Sequence, residues 1–556
     1  MKEHSTQNPN GASGGPQTPN QAGTHQAGAQ TPNQAGTHQT GAQTPNQDGT
    51  HRAAVSAPAL PHHIDWFITV VPFLVILALC LFFFLFPTGS RSVLEAIRTV
   101  LGDGFSAYYL VIGLGVFLVS LYLAFSKYGK IRLGNLDKPR YTPFQWGSMM
   151  FTAGLAADIV FYSLCEWMLY AGESHVTDLG AMQDWASTFP LFHWGPIPWS
   201  FYLVLAVAFG FMLHVRKRSK QKYSESCRPL LGAWVDGPVG KLIDLLAVFA
   251  LLAGTATTFS LATPLLSGAI AAVTGLPDSR FLTIGILLVI GLTYTITVYF
   301  GMKGVAKLAA SCTWLFFALL LYVLLGGGQA RYIIETGLTA LGNLTQNFFA
   351  LSTYTDPLRE NSFPQNWTCF YWAYWMVWCV ATPFFIGNIS EGRTIRQTVL
   401  GGYIFGLSGT FVSFIILGNY GLSLQVMGKL DLLGAYGANG DLYAPILQIM
   451  RTLPLSSLGL LLLAITMIAF YATSFDALAL VAASYSYKEL AQGEEPHRNT
   501  KLFWSIVLML LPIALLFSES SMSNLQTVSM IAAFPVGIIM VLIIGSFFKD
   551  AKGMVG

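Results

Sequence analysis

The sequence predicts an all-α integral membrane protein of twelve transmembrane helices, and three observations predict it. The chain of 556 residues is 53% hydrophobic and only 10% charged, with a mean hydropathy of +0.54, whereas a water-soluble domain is about 25% charged. It contains twelve apolar runs long enough to cross a bilayer, a crossing that takes about twenty helical residues. Its Lys and Arg residues concentrate in alternate connections, as expected of a multi-pass chain. The composition excludes a soluble enzyme, a disordered scaffold and a collagenous chain. A net charge of +3 is too small for a nucleic-acid binder of this length.

The elements follow in chain order. Residues 1–60 carry a repeat in which Gln17 to Ala29 (QTPNQAGTHQAGA) recurs from Gln30 and again, with changes, from Gln43. Such a segment, rich in Gln, Thr, Pro, Gly and Asn, buries too little apolar surface to offset the entropy of ordering, so a disordered cytoplasmic tail is expected. No basic-then-apolar leader precedes the first span, which is therefore expected to be retained. A membrane domain is expected over 61–548 and a short cytoplasmic tail over 549–556. The runs are 65–86, 106–126, 144–170, 196–213, 242–273, 281–300, 308–325, 367–387, 398–423, 455–483, 501–517 and 524–547. The connections after even-numbered runs, with the C-terminal tail, hold 21 Lys and Arg, against 7 in those after odd-numbered runs. This three-to-one bias is expected to place both termini in the cytoplasm, and the cell membrane is the expected location. Between the seventh and eighth runs, Ile334, Leu338, Leu341, Leu344 and Phe348 recur at helical steps, predicting an amphipathic helix lying on the outer surface.

The six cysteines show no metal-type spacing, and no disulfide framework, metal site or cofactor is expected. Two regions carry more than an anchoring span needs. Asn366 to Cys379 reads NWTCFYWAYWMVWC, and HWGPIPWSFY supplies Trp194, Trp199 and Tyr202 near the fourth run. Aromatic side chains also collect at headgroup level, but Trp375 and Trp378 are three apart, on one helix face, and continue into the span. A quaternary ammonium ligand has no N–H to donate, so a desolvated cage of π-faces is the main specific contact open to it.

The third run places Ala153, Gly154, Ala156 and Ala157 ahead of Asp158. Small residues allow close helix packing, and they also allow a helix to unwind and offer carbonyls to an ion or substrate. A mid-span carboxylate is costly unless paired, protonated or facing water, so Asp158 is a functional candidate by default. Glu166 is expected nearer the outer interface, where solvation suffices. Asp476, after Thr473 and Ser474, has a structural and an ionic reading of equal weight.

WTCFYWAYWMVW followed by ISEGRTIRQ (Ile389 to Gln397) resembles the signature of the betaine/carnitine/choline transporter family, and WGSMMFTAGLAADIVFY, HWGPIPWSFY and ATSFD match further family segments in order. The likeness covers residues 60 to 548. It implies two inverted five-helix repeats, spans 3–7 and 8–12, after two N-terminal helices, often assembled as a homotrimer. It also implies a substrate site between the third, fourth and eighth spans. Carried over by position, the aromatic box is Trp194, Trp199, Tyr202, Trp375 and Trp378, with Tyr374 where family members commonly have another Trp. Gly154 and Asp158 occupy the ends of a stretch that runs Gly-x-Gly-x-Gly in sodium-coupled betaine carriers. An Asp at its last position resembles the choline carriers, which are thought to be proton-coupled. Leu251 and Thr255 stand where sodium carriers have two threonines, while Thr473 and Ser474 match retained sodium-site positions.

The function expected is import of a quaternary ammonium compound by a secondary transporter using alternating access. A choline-like cation is favoured, because an ionised Asp158 would repel the carboxylate of betaine or carnitine, and H+ is favoured over Na+ as the coupling ion. The rivals are a sodium-coupled betaine symporter, a carnitine-type exchanger and, less favoured, a channel. No Ser-His pair or His-plus-carboxylate cluster in the spans supports an enzyme.

Overall fold

The computed structural model describes residues 64–555 apart from 155, 219, 301–302, 491–493 and 518–521. The thirteen-residue repeats lie outside the described residues, as do the side chains of Thr473 and Asp476. Among the described residues the elements are helices, joined by two isolated bridges, Ile64 with Tyr487 and Arg132 with Thr394. Seven helices are long and apolar enough to cross a membrane: Trp66–Leu85, Ser106–Phe125, Met182–Val215, Pro238–Thr274, Ile395–Val426, Arg498–Leu516 and Gln526–Met554. The number rises to ten if each of three bent pairs is one span. The two remaining predicted runs, the sixth and tenth, fall on the helices Arg280–Phe300 and Ser456–Tyr485.

Local chemistry explains the helix starts that bear on the site. Thr142 and Gln145 form a capping box at the head of Pro143–Ala153, and Thr394 and Gln397 form the same device at the head of Ile395–Ser413; each satisfies donors that the first turn leaves orphaned. The two heads are tied together. The Leu133 N–H donates to the Arg393 carbonyl at 2.8 Å and the Gly392 N–H to the Leu133 carbonyl at 2.6 Å. The Arg393 guanidinium lies 4.4 Å from the Trp146 ring centroid. The Gly-Arg-Thr turn read from the sequence is therefore a clamp between the second and eighth connections.

The centre is formed by Ala157–Ala171 and Pro196–Gly210, which are almost wholly buried, while peripheral helices turn apolar side chains outward. Phe281 is 81% and Trp314 76% exposed, which suits lipid as the surrounding solvent. Pro196–Gly210 and Thr382–Ile389 approach backbone to backbone. A Cβ at Gly387 would lie 2.8 Å from both the Ala206 carbonyl oxygen and the Gly210 nitrogen. Neither atom can rotate away, so Gly387→Ala is expected to cost about 1–3 kcal/mol of stability, read as a lower melting temperature in detergent. Wild-type melting would show that the two helices separate freely.

One expectation is corrected. The fourth span does not begin at 196: Met182–His193 precedes it and packs against Ala157–Ala171 and Ala330–Thr353. The helix expected between the seventh and eighth runs is Ala330–Thr353, reached by a 112° turn after Ser311–Gly326, and it is two-sided. Ile333, Thr336, Gly337, Ala340 and Leu344 are buried, whereas Ile334 and Leu338 are exposed.

Candidate functional site

Two helices break where they meet. Pro143–Ala153 ends at Gly154, the chain is extended at Ala156, and Ala157–Ala171 restarts at an angle of 61°. Cys369–Trp378 likewise gives way to Thr382–Ile389 at 57°. The first break falls on the small residues singled out in the sequence. The second was not anticipated, although Pro383 marks it, because proline removes a donor and suits the first turn of a new helix.

Between the breaks lies a cavity of about 610 Å³. Gly154, Asp158, Trp194, Tyr202, Tyr374, Trp375, Trp378 and Ser474 all line it. Trp375 is the hub of its aromatic wall, with ring centroids 4.8 Å from Tyr202 and 5.5 Å from Trp194. Such spacing is that of rings in direct, tilted contact. Trp199 does not line the cavity. It is fully buried behind it, wedged between Gly154 and Gly406, and a Cβ on Gly154 would come within 2.7 Å of the Trp199 ring. Cys312 and Thr313, from Lys303–Gly326, and Phe470, from Ser456–Tyr485, add walls from the seventh and tenth runs. The cavity follows Thr382–Ile389 to Asn388 and reaches Gln221, in a Lys- and Arg-rich connection.

Asp158 sits in the first turn of the restarted helix, where a negative charge is favoured by the exposed N–H dipoles. Its Oδ1 accepts from the Ile159 N–H at 3.0 Å, and its Oδ2 accepts from the Tyr374 hydroxyl. The Tyr374 oxygen lies 2.5 Å from Thr258 Oγ1. With the phenol proton committed to Asp158, Thr258 is the donor of that second bond. Among the described residues the lining holds one carboxylate and no Lys, Arg or His.

Glu166 corrects a second expectation. It is fully buried, not solvated, and accepts from the Trp194 indole N–H at 2.6 Å and from the Tyr170 hydroxyl at 2.6 Å. Trp194 is thus anchored from behind, through its one polar atom. The sequence signal for this role was a carboxylate within an apolar run. His193 and Tyr170, which join it, carried no signal of their own. Beyond them Trp367 donates from its indole N–H to Glu173 at 2.7 Å. Burial pushes the Glu173 carboxyl up from its usual range, and that hydrogen bond offsets part of the rise. The Thr255 hydroxyl, at a position compared with sodium carriers, donates to the Leu251 carbonyl at 2.7 Å within its own helix.

Comparison with known proteins agrees with this architecture. The family model described as BCCT, betaine/carnitine/choline family transporter, matches residues 67–555. The chain is 29% identical over 436 residues to the uncharacterized transporter YeaV of Escherichia coli K12, covering 78% of this chain and 90% of that protein. It is 28% identical over 476 residues to the glycine betaine transporter OpuD of Bacillus subtilis, covering 84% and 90%. It is 26% identical over 424 residues to a carnitine transporter of Acinetobacter baumannii, covering 76% of each chain.

Proposed function

The chain belongs to the betaine/carnitine/choline transporter family and is a membrane transporter rather than an enzyme; from that premise we propose that it imports a choline-like quaternary ammonium cation, coupled to protons, by alternating access. The observation that carries the choice of substrate is the charge of the cavity: among its described lining residues, one carboxylate, no basic side chain, and three indoles and two phenols as walls. A permanently charged nitrogen finds π-faces and a counter-charge there. The carboxylate end of betaine or carnitine finds no cation and meets Asp158 instead. The relatives named for glycine betaine and carnitine keep those zwitterions as the second reading.

Twelve spans in two inverted five-helix repeats are part of this proposal. Its support is that the two broken helices, at 61° and 57°, are the first helices of the two repeats. Broken helices at a repeat interface are a common place for transporter sites. Cytoplasmic termini and a homotrimer complete the proposal. With that orientation, the path past Asn388 to Gln221 opens the cavity inward.

For coupling, Asp158 supplies a titratable group at the site itself, and the Thr255 hydroxyl is committed to its own helix. Uptake of radiolabelled choline by proteoliposomes is expected to rise with an inward proton gradient and to be unaffected by sodium. Indifference to both gradients would make the protein an exchanger, and dependence on sodium alone would make Ser474 and Gly154 part of an ion site. Trp375→Leu or Trp378→Leu should each weaken choline binding by about 1–2 kcal/mol, measured by tryptophan fluorescence quenching. Unchanged affinity in both would remove the cage.

A further inference from the structure

Behind Trp194 stands a set of ionisable side chains for which the transport reading has no use. Glu166, Tyr170 and His193 are fully buried. Tyr170 donates to Glu166 Oε1 at 2.6 Å, its oxygen lies 2.7 Å from His193 Nδ1, and His193 Nε2 lies 3.0 Å from Thr368 Oγ1. The chain runs from Thr368, next to half-buried Trp367, to a carboxylate whose other oxygen holds the indole N–H of a cavity-lining tryptophan. Among the described residues no Lys or Arg lies within ion-pair distance of Glu166; its one basic neighbour is His193, at 3.9 Å. The other ionisable groups facing it are Tyr162 and Cys165 on its own helix and Tyr371, whose ring stacks on His193 at 4.9 Å. Tyr436 and Tyr443 lie one layer out, beside Cys165.

Counting donors and acceptors gives this chain two complete arrangements on one heavy-atom frame. In the first, Glu166 is a carboxylate accepting from Tyr170. His193 donates from Nδ1 to the Tyr170 oxygen, and Nε2 accepts from Thr368. In the second, one proton has been added. Glu166 is protonated and donates to Tyr170, Tyr170 donates to Nδ1, and Nε2–H donates to Thr368. The change is balanced: a proton arrives at Nε2, the Nδ1 proton passes to Tyr170, the Tyr170 proton passes to Glu166, and the Thr368 hydroxyl turns round. From Glu166 to His193 Nε2 every donor and acceptor is matched in both arrangements, and buried carboxylate and histidine chains are the ones that relay protons within membranes.

We infer that Glu166, Tyr170, His193 and Thr368 form a proton-binding site with its own relay on the outward side of the cage, separate from Asp158. A carboxylate holds the Trp194 indole more strongly than a neutral acid does. Proton occupancy at Glu166 therefore sets how firmly one wall of the cage is anchored, a consequence that rests on the transport reading above.

The test is infrared difference spectroscopy of the full chain in lipid between high and low pH. A carboxylic C=O stretch is expected on acidification, kept in Asp158→Asn and lost in Glu166→Gln, which preserves an acceptor for Trp194. Absence of the band in the wild type, or its survival in Glu166→Gln, overturns the proposal. Tyr170→Phe guards against misfolding of that variant. It cuts the relay, so after a pH jump the Glu166 band should appear more slowly than in the wild type; an unchanged rate overturns the relay. Choline quenching on the same samples separates the two readings. A Glu166 band without choline binding supports the proton site and sinks the substrate, whereas binding without a band sinks the proton site alone.

Discussion

Asp158→Asn is expected to weaken choline binding by about 2 kcal/mol or more, roughly thirtyfold or greater in Kd, which is the usual scale for truncating one member of a buried charge pair. Asparagine keeps the shape and an oxygen for the Ile159 N–H, and its amide NH2 can donate to the Tyr374 oxygen once the phenol proton turns to Thr258, so the variant removes charge with little disturbance of packing. The same change removes the repulsion that meets a zwitterion, and betaine affinity should hold steady or rise. Titrating the purified protein with both compounds by tryptophan quenching decides the matter. If choline affinity and the pH dependence of uptake both survive, Asp158 serves the fold and the counter-charge argument fails.

Tyr374 refines this account. In sequence, an Asp at the end of the glycine stretch and a Tyr where a Trp is common stand 216 residues apart and read as two unrelated departures from the family pattern. In the fold they are one device, since the Tyr374 hydroxyl donates to Asp158 and Thr258 completes the set. An indole N–H can also donate but cannot accept from Thr258 in return, so a Tyr at this position allows the carboxylate to be tied into a longer chain.

What the sequence made legible was whatever repeats at short range. Hydropathy located the apolar helices, small residues located the first break, and the three-residue step from Trp375 to Trp378 put both on the cavity. What it hid depended on contacts between distant segments. The burial of Glu166 is set by His193, Trp194 and Tyr371, from two other helices, and the protein-facing side of Ala330–Thr353 is set by its packing against Met182–His193 rather than by its own apolar stripe. The fourth span seemed short because Asp184 and Pro190 interrupt the apolar run, although tertiary packing keeps Met182–His193 helical.

Trp199 allows the sharpest separation of packing from binding. Its position among the box residues predicts a substrate contact, yet the structure lodges its ring between Gly154 and Gly406, against Trp375 at 5.8 Å and Tyr202 at 5.9 Å. The missing Cβ atoms of the two glycines are what make room for it. Trp199→Ala leaves that volume unfilled, at the site where the third span breaks, and should cost about 3–5 kcal/mol of stability, the usual range for deleting a buried indole. The folded fraction should retain choline affinity much closer to wild type than Trp375→Leu does, because the ring lost supports the wall without facing the ligand. Melting in detergent and quenching titrations on the same preparation give the two numbers. A collapse of affinity with unchanged melting would return Trp199 to the cage and show that the cavity reshapes around its ligand.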